Sequence, residues 1–265
     1  MGARSAALLA AGRLGAVPPA WAPAVVEQLA GPDGYDLDRV ARSHGGCGLP
    51  PTAYDGRLHT VLPCGTRAVV GPDLQVGLSG PADLTPLRRL LDLDTDLVAL
   101  HEAVADVLPW ARSRQAGRLL RVMTTRDALV QSLAATNASY AATQRMLAAG
   151  AGPAWGYRLP ALRAVLDLDL DGWVGLADDE LNARVLALQG FGPFASSSVM
   201  ALLGRPRPLV LDAWLRRQVD EHLGGDVAPY AALGRWGGTA LWLAVSERWL
   251  YRSDGGTTPR SAAGT

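Results

Sequence analysis

The sequence predicts a mostly α-helical protein with a small α+β domain near its N-terminus. Segments rich in leucine and alanine with helical spacing dominate the chain from about residue 110 onward. Short β-rich segments broken by glycine lie between residues 57 and 78. Hydrophobic residues make up 49% of the 265 residues, which provides a real core and excludes a disordered chain.

We divide the chain into four parts. Residues 1–24 form an N-terminal extension, 25–110 an α+β domain, 111–252 a set of helical domains, and 253–265 a tail that we expect to be disordered. No apolar run approaches the ~20 residues that span a bilayer, so we expect no membrane association. Cys47 and Cys64 form neither a disulfide framework nor a metal site by themselves, which fits a reduced cytoplasm.

The formal net charge is zero, whereas nucleic-acid binders usually carry a basic excess. All 25 basic residues are arginine, and the chain contains no lysine. The arginines cluster in two stretches, which predicts either a basic face or an ordinary solvated surface. The stretches contain Arg112, Arg114, Arg118, Arg121 and Arg126, and then Arg205, Arg207, Arg216 and Arg217.

In the α+β domain, residues 35–43 are predicted to form a short helix that stops at Gly45 and Gly46. Leucines at helical spacing predict further helix from Leu84 to Leu108. Three segments between these helices alternate or are β-rich and are predicted to be strands: 57–62, 67–70 and 74–78.

The helical part begins with a pattern that predicts both ends of a helix. Thr124 and Asp127 resemble a capping box, with aspartate where glutamate is usual. Thr136 and Asn137 break the apolar pattern, and Ser139 is placed to cap the next helix. The polar pair is either a plain helix break or a functional turn.

A glycine-rich turn joins two later helices. The first helix is predicted to end at Leu188, and the second to open at Pro193 or Phe194 and run to Leu203. Gly190 and Gly192 between them permit positive φ and a close approach of the backbone to a ligand. Free N–H groups at a helix N-terminus bind phosphate, although an ordinary helix-turn-helix loop has the same pattern.

Asp212 follows Phe194 by 18 residues, which leaves room for one helix and a proline-rich return. It is predicted to start the next helix, 213–219, so a simple N-cap role is one reading of it. A carboxylate near the hairpin is the other reading, because such a group stabilises positive charge or activates a water.

The G-x-G-P hairpin followed by a hydrophobic-D-x-W-x-R segment resembles the helix-hairpin-helix/GPD superfamily of DNA glycosylases. The layout is similar to the 3-methyladenine glycosylase II and 8-oxoguanine types, which carry an α/β domain ahead of the helical part. The resemblance implies that Asp212 is the catalytic carboxylate. It also implies that the hairpin grips DNA, that Thr136 and Asn137 fill the gap left by a flipped base, and that nearby arginines assist. The implied DNA contacts are Gly190, Phe191, Gly192, Phe194, Ala195, Thr136, Asn137, Arg216 and Arg217.

The resemblance also implies what this chain lacks. Bifunctional members use a lysine at the position of Phe194 to form a Schiff base, so we expect a monofunctional enzyme. Iron–sulfur members carry four cysteines after the catalytic domain, whereas no cysteine follows Cys64, so we expect no cluster and no other cofactor. The four histidines have no metal-ligand spacing, so we expect no catalytic metal. Main-chain carbonyls of Leu186, Leu188 and Phe191 match a structural sodium or potassium site of the family.

We therefore expect a monomeric, cytoplasmic, bacterial and nucleoid-associated glycosylase that acts on double-stranded DNA, with an alkylated base as the substrate. Aromatic residues would stack on that base, although core packing is the alternative for each of them. The candidates are Phe194, Tyr140, Tyr157, Trp214 and Trp236. The competing hypotheses are a non-catalytic helix-hairpin-helix DNA-binding protein and an all-α protein with a coincidental turn.

Overall fold

The computed structural model describes residues 21–251. The predicted disordered tail at 253–265 and most of the predicted extension at 1–24 lie outside these residues. Within them the chain forms two compact units. The sheet unit comprises residues 21–94 and 119–171, and the Asp212 unit comprises 95–118 and 172–251.

All the described strands lie before residue 79 and helices dominate the rest of the described chain, as the predicted fold class requires. The described strands are β1 (Val25–Gln28), β2 (Ala53–Tyr54), β3 (Leu58–Val61), β4 (Arg67–Val70) and β5 (Gln75–Leu78). The described α-helices are α1 (Leu37–Ala41), α2 (Thr85–Leu90), α3 (Val98–Ala103), α4 (Thr125–Ala135), α5 (Tyr140–Ala149), α6 (Leu159–Asp167), α7 (Asp178–Leu186), α8 (Pro193–Leu202), α9 (Ala213–His222), α10 (Ala228–Ala231) and α11 (Gly237–Leu250).

The sheet unit is built on an antiparallel sheet with strand order β1-β5-β4-β3-β2. Alternate residues point into the core, so Leu58 and Thr60 on β3 are buried while their neighbours are partly exposed. Leu87 and Leu90 of α2 pack in the same apolar core. The three segments predicted as strands correspond to β3, β4 and β5.

The helices of the sheet unit begin and end at the predicted polar residues. Thr124 and Asp127 form the capping box of α4, and Ser139 caps α5. Between them Asn137 adopts a left-handed φ of 47°. Arg126 closes the far end of α6, where its guanidinium donates to the carbonyls of Val165, Leu166 and Leu168 at 2.6, 2.7 and 2.9 Å.

The Asp212 unit has two apolar cores. One joins residues 100–116 to α11, with Leu100 and Val104 against Leu243. The other joins α9 to α11 and contains Leu215, Val219, Leu241 and Val245. The chain from 95 to 118 thus belongs with the C-terminal helices, whereas the residues from 119 onward return to the sheet unit. The compact units therefore divide the chain differently from the predicted boundary near residue 110.

Several predicted elements are shorter or interrupted in the structure. The helix predicted from Leu84 to Leu108 is broken after α2, where Asp92 has a φ of 54° and pairs with Arg121 at 2.7 Å. Asp92 is 2% exposed, so this buried ion pair fixes the break. The helix predicted to reach Leu188 ends at Leu186, and the helical segment predicted after residue 230 is split among α10, a 3-10 turn and α11.

Two strands, β1 and β2, have no counterpart in the prediction. β1 is an edge strand whose last three residues are exposed, and β2 contains two residues, so neither carries a hydrophobic alternation.

Candidate active site

The hairpin consists of α7, the turn 187–192 and α8. Phe191 is 6% exposed, and its N–H donates to the Leu188 carbonyl at 3.1 Å, which closes the turn. Gly190 has a φ of 86°, a conformation that favours glycine. Ser196 on α8 donates to Asn182 on α7 at 2.6 Å and joins the two helices. The sequence therefore folds this segment as predicted, with the turn anchored by a buried aromatic ring.

Gly192 is the N-cap of α8, with φ −101° and ψ −172°, so the positive φ that glycine permits is used at Gly190 and not at Gly192. At Gly192 the absence of a side chain leaves space next to the helix start, because a Cβ at this position would meet nothing within 4 Å and would project into that space. No side chain within residues 21–251 caps α8. The N–H groups at the start of α8, including those of half-buried Phe194 and buried Ala195, therefore have the uncapped arrangement on which the predicted anion site depends.

Asp212 is the N-cap of α9. Its Oδ1 accepts a hydrogen bond from the Leu215 N–H at 2.6 Å, and the residue is half-buried. The cap occupies one carboxylate oxygen. The prediction that Asp212 caps the next helix is thus correct, and its Oδ2 atom takes no part in the capping hydrogen bond.

The segment 205–211 that leads to Asp212 is held by hydrogen bonds to a helix on each side, α8 and α11. Ser197 on α8 donates to the Pro208 carbonyl at 3.0 Å. On the other side, Gly238 of α11 donates to the Arg207 carbonyl at 3.0 Å. A Cβ on Gly238 would lie 2.3 Å from the Pro208 oxygen, so this close approach requires glycine. These contacts fix Asp212 relative to the second helix of the hairpin.

Arg207 is a residue whose importance the sequence did not reveal. Its Nε donates to Ser197 Oγ at 3.1 Å, and its guanidinium lies 5.4 Å from the ring centroid of Trp242. Burial lowers the pKa of Arg207, and the nearby Asp212 carboxylate counteracts that shift. The available signal was an arginine five residues before Asp212 in a proline-rich segment, and that signal is weak by itself.

The arginines expected to assist DNA binding divide into two groups. Arg216 and Arg217 lie exposed on α9, one turn after Asp212. In contrast, Arg121 is paired with Asp92 and Arg126 is bonded to main-chain carbonyls. The stretch from Arg112 to Arg126 is therefore not a continuous free basic face.

Thr136 and Asn137 lie in the sheet unit at the end of α4. Arg158, on the 3-10 turn Pro153–Arg158, donates from Nη2 to the carbonyls of both residues, at 3.0 Å for Asn137. The same guanidinium lies 4.4 Å from the ring centroid of Tyr157, which is 74% exposed. Asn137, Arg158 and Tyr157 therefore form one polar and aromatic edge, and Arg158 is a second residue that the prediction missed.

The predicted pocket aromatics lie in different surroundings. Trp214 is 38% exposed and has Trp242 and Trp249 at centroid distances of 5.7 and 6.4 Å. Trp236 packs against the apolar core formed by residues 100–116 and α11. In the sheet unit, Tyr140 donates to the Gly45 carbonyl at 2.8 Å, and burial raises its pKa to about 12. Phe194, Trp214 and Trp236 are in one unit, and Tyr140 and Tyr157 are in the other.

The predicted alkali-cation ligands lie in the hairpin turn. The Leu188 carbonyl accepts from Phe191, while Leu186 is 42% exposed at the end of α7. Residues 21–251 contain no group of histidine, cysteine, aspartate and glutamate side chains that could hold a metal ion. In the same residues no helix is long and apolar enough to cross a membrane.

Comparison with known proteins identifies the fold. No family profile and no curated sequence matches the chain. Among solved structures, a 3-methyladenine DNA glycosylase from Archaeoglobus fulgidus has a TM-score of 0.61 at 14% identity, covering 86% of this chain and 99% of that one. A Clostridium acetobutylicum 8-oxoguanine glycosylase/lyase bound to double-stranded DNA has a TM-score of 0.60 at 13% identity, covering 86% and 99%. MBOgg1 in complex with a low-affinity DNA ligand has a TM-score of 0.58 at 16% identity, covering 84% and 98%. The chain therefore has the fold of the helix-hairpin-helix DNA glycosylases.

Proposed function

We propose that this protein is a DNA glycosylase of base-excision repair that flips a damaged base out of double-stranded DNA and hydrolyses its N-glycosidic bond. The observation that carries the proposal is the placement of Asp212. It is a half-buried carboxylate on a segment bonded to the second hairpin helix, in a fold shared with 3-methyladenine and 8-oxoguanine glycosylases.

The hairpin binds the DNA backbone. A phosphate accepts hydrogen bonds from the N–H groups at the start of α8, where Gly192 leaves open space for it. Arg216 and Arg217 add charge one helical turn beyond Asp212. Such contacts are sequence-independent and weaken as salt concentration rises, so they position the enzyme without selecting a lesion.

Asp212 carries the chemistry. Cleavage of an N-glycosidic bond builds positive charge on the sugar. An ionised carboxylate either stabilises that charge directly or activates a water molecule that attacks the sugar. The bond to the Leu215 N–H fixes the carboxylate through Oδ1, so Oδ2 is the oxygen that acts on the nucleotide.

A base within a duplex must leave the stack before Asp212 can act on its sugar. The edge formed by Asn137, Arg158 and Tyr157 fits this step. An exposed aromatic ring held by a guanidinium is suited to insertion between bases. Thr136 and Asn137 then occupy the gap that the flipped base leaves in the duplex. Arg158 fixes both residues by donating hydrogen bonds to their carbonyls.

The enzyme is monofunctional. Lyase chemistry needs an amine near the sugar, and Phe194 lies where bifunctional enzymes of this fold have their lysine. The chain has no lysine elsewhere. The protein works without an iron–sulfur cluster, and carbonyls of Leu186, Leu188 and Phe191 hold a sodium or potassium ion next to the hairpin.

The substrate is a duplex with an alkylated base, because electron-poor rings are attracted to aromatic faces. Trp214 is best placed among the candidates in the Asp212 unit, since it is partly exposed and lies two residues after the carboxylate. The protein acts as a monomer on the nucleoid in the cytoplasm.

The proposal is tested by base release from duplexes that each carry one lesion. The panel contains alkylated purines, hypoxanthine, uracil, 8-oxoguanine and mismatched adenine, with abasic sites revealed by alkali. We expect release from alkylated purines and strand breaks that need alkali. Release of another base would correct the substrate class. Binding without release from any duplex would favour a non-catalytic DNA-binding protein, and absence of binding would contradict the DNA function altogether.

A further inference from the structure

We propose that the sheet unit contains a second binding site, a cavity that takes a single-ring heterocycle with N–H and carbonyl groups. The cavity has a volume of about 160 Å³ and is lined by residues of β3, α2 and α4 and of the loops beside them. All of its lining residues belong to the sheet unit, whereas Asp212 belongs to the other unit. The inference therefore does not depend on the proposed function.

The size and the apolar wall of the cavity favour a flat ring. Leu62, Leu90, Val122 and Met123 supply much of that wall, and all four are buried. An apolar protein cavity of about 150 Å³ holds one benzene molecule, so this cavity has room for one six-membered ring and not for a nucleoside. Exposed Cys64 also lines the cavity, so a ligand can enter from solvent.

Two buried hydroxyl groups line the cavity with most of their hydrogen-bonding capacity unused. Thr52 is 6% exposed and Thr60 is 3% exposed. Within residues 21–251 their side chains have one hydrogen bond, between the two Oγ1 atoms at 3.5 Å, which is longer than the usual range of about 2.5–3.0 Å. A hydroxyl can donate one hydrogen bond and accept two, and burial of a polar group without good partners is unfavourable. A polar ligand beside these hydroxyls would supply the missing bonds.

Helix α4 contributes an acid and an amide to the same cavity. Asp127 and Gln131 are four residues apart and therefore lie on one face of the helix. The Asp127 Oδ2 atom accepts from the N–H and the hydroxyl of Thr124, at 3.1 and 2.7 Å. In the described part of the chain, neither Asp127 Oδ1 nor the side-chain amide of Gln131 has a hydrogen-bond partner.

These two side chains decide the chemical class of the ligand. A carboxylate accepts from an N–H group, and a side-chain amide donates to a carbonyl oxygen. A pocket with apolar walls and a few polar groups orients its ligand through those groups. The ligand is thus a ring that carries N–H and carbonyl groups at its edge, which is the chemistry of a free pyrimidine base.

The test follows the methyl groups of the methionines by NMR while uracil is added to the full-length protein. Met123 lines the cavity, and its resonance is identified as the one missing from M123L. Met146 on α5 reports the rest of the sheet unit, and Met200 on α8 reports the Asp212 unit. We expect millimolar uracil to shift Met123 to saturation and to leave Met146 and Met200 in place. Benzene has the ring size without the polar groups and should bind at least about fivefold more weakly.

Two variants test the polar contacts separately. Thr60→Val keeps the shape of the side chain and removes one hydroxyl, so the affinity for uracil should fall about fivefold, as loss of one hydrogen bond gives. Gln131→Leu removes the amide on α4 with the same expected loss, and it decides the matter if T60V does not fold. Thr125→Val is the matched control, because Thr125 is buried on α4 but does not line the cavity.

Three results would overturn the inference. One is a wild-type Met123 methyl that uracil does not shift, including a shift confined to Met200. Another is equal affinity for benzene and uracil, which would mean an apolar void. The third is an affinity for uracil that neither T60V nor Q131L lowers relative to T125V.

Discussion

Arg158 donates from Nη2 to the main-chain oxygen of Asn137 at 3.0 Å, and Asn137 has a left-handed φ of 47°. A residue with a Cβ adopts this conformation at a cost, and asparagine tolerates it better than most. The guanidinium therefore holds a strained, exposed turn at the end of α4. Strain maintained by a specific contact is typical of functional sites.

Two substitutions at Asn137 distinguish the contribution of its backbone conformation from that of its side chain. Asn137→Gly keeps the left-handed turn, so the free energy of unfolding should remain near wild type, whereas Asn137→Ala should lose about 1 kcal/mol. Both remove the side chain that we place in the duplex gap, so single-turnover base release should fall about tenfold or more in each, as loss of ~1.4 kcal/mol would give. Urea unfolding and base release measured together check this, and wild-type release by N137G would contradict the gap-filling role.

Gly192 is predicted to matter more for DNA than for folding. Its backbone angles suit any residue and an added side chain would meet open space, so the cost of Gly192→Val is that of a poorer N-cap, about 1 kcal/mol. The same side chain would block a phosphate from the start of α8, so affinity for duplex DNA should fall at least about tenfold. Gly175→Val is the matched control, because that glycine also faces open space but lies outside the hairpin. Equal affinities of the two variants would argue against the hairpin as the DNA site.

Phe194→Lys tests the monofunctional assignment. A lysine at this position places an amine where bifunctional enzymes have theirs, so borohydride should trap a covalent complex between F194K and substrate DNA. Wild type, which has no lysine, should give no trapped product. Trapping by wild type would show that another amine acts, and the assignment would then be wrong.

Most of the site's scaffold could be predicted from sequence because its signals are local. The capping box of Thr124 and Asp127, the turn at Gly190 and the N-cap at Asp212 depend on residues a few positions apart. Arg158 and Arg207 could not be predicted, because their side-chain partners Thr136, Ser197 and Trp242 lie 10 to 35 residues away and their roles depend on tertiary contacts. The break after α2 was missed for the same reason, since the buried pair of Asp92 and Arg121 overrides helical spacing.

Tyr140 should give the sheet unit a pH-dependent stability. Burial, assisted by the neighbouring Cys47, raises the pKa of the folded-state phenol to about 12, against about 10 in an unfolded chain. A raised pKa means that the protonated phenol stabilises the fold below pH ~10, and that this contribution disappears as pH rises toward ~12. The difference in unfolding free energy between wild type and Tyr140→Phe should therefore shrink between pH 8 and pH 11 in urea titrations. A difference independent of pH would contradict the shift.

The most direct test of the account is Asp212→Asn on the duplex that wild type cleaves best. Asparagine caps a helix as well as aspartate does, so the melting temperature should stay close to wild type. It cannot act as the ionised carboxylate, so the single-turnover rate of base release should fall by about 1,000-fold or more, a loss of ~4 kcal/mol in transition-state stabilisation. A stable D212N variant without activity would establish Asp212 as the catalytic group. A stable variant that still releases the base near the wild-type rate would mean that Asp212 only caps α9, and the account would be wrong.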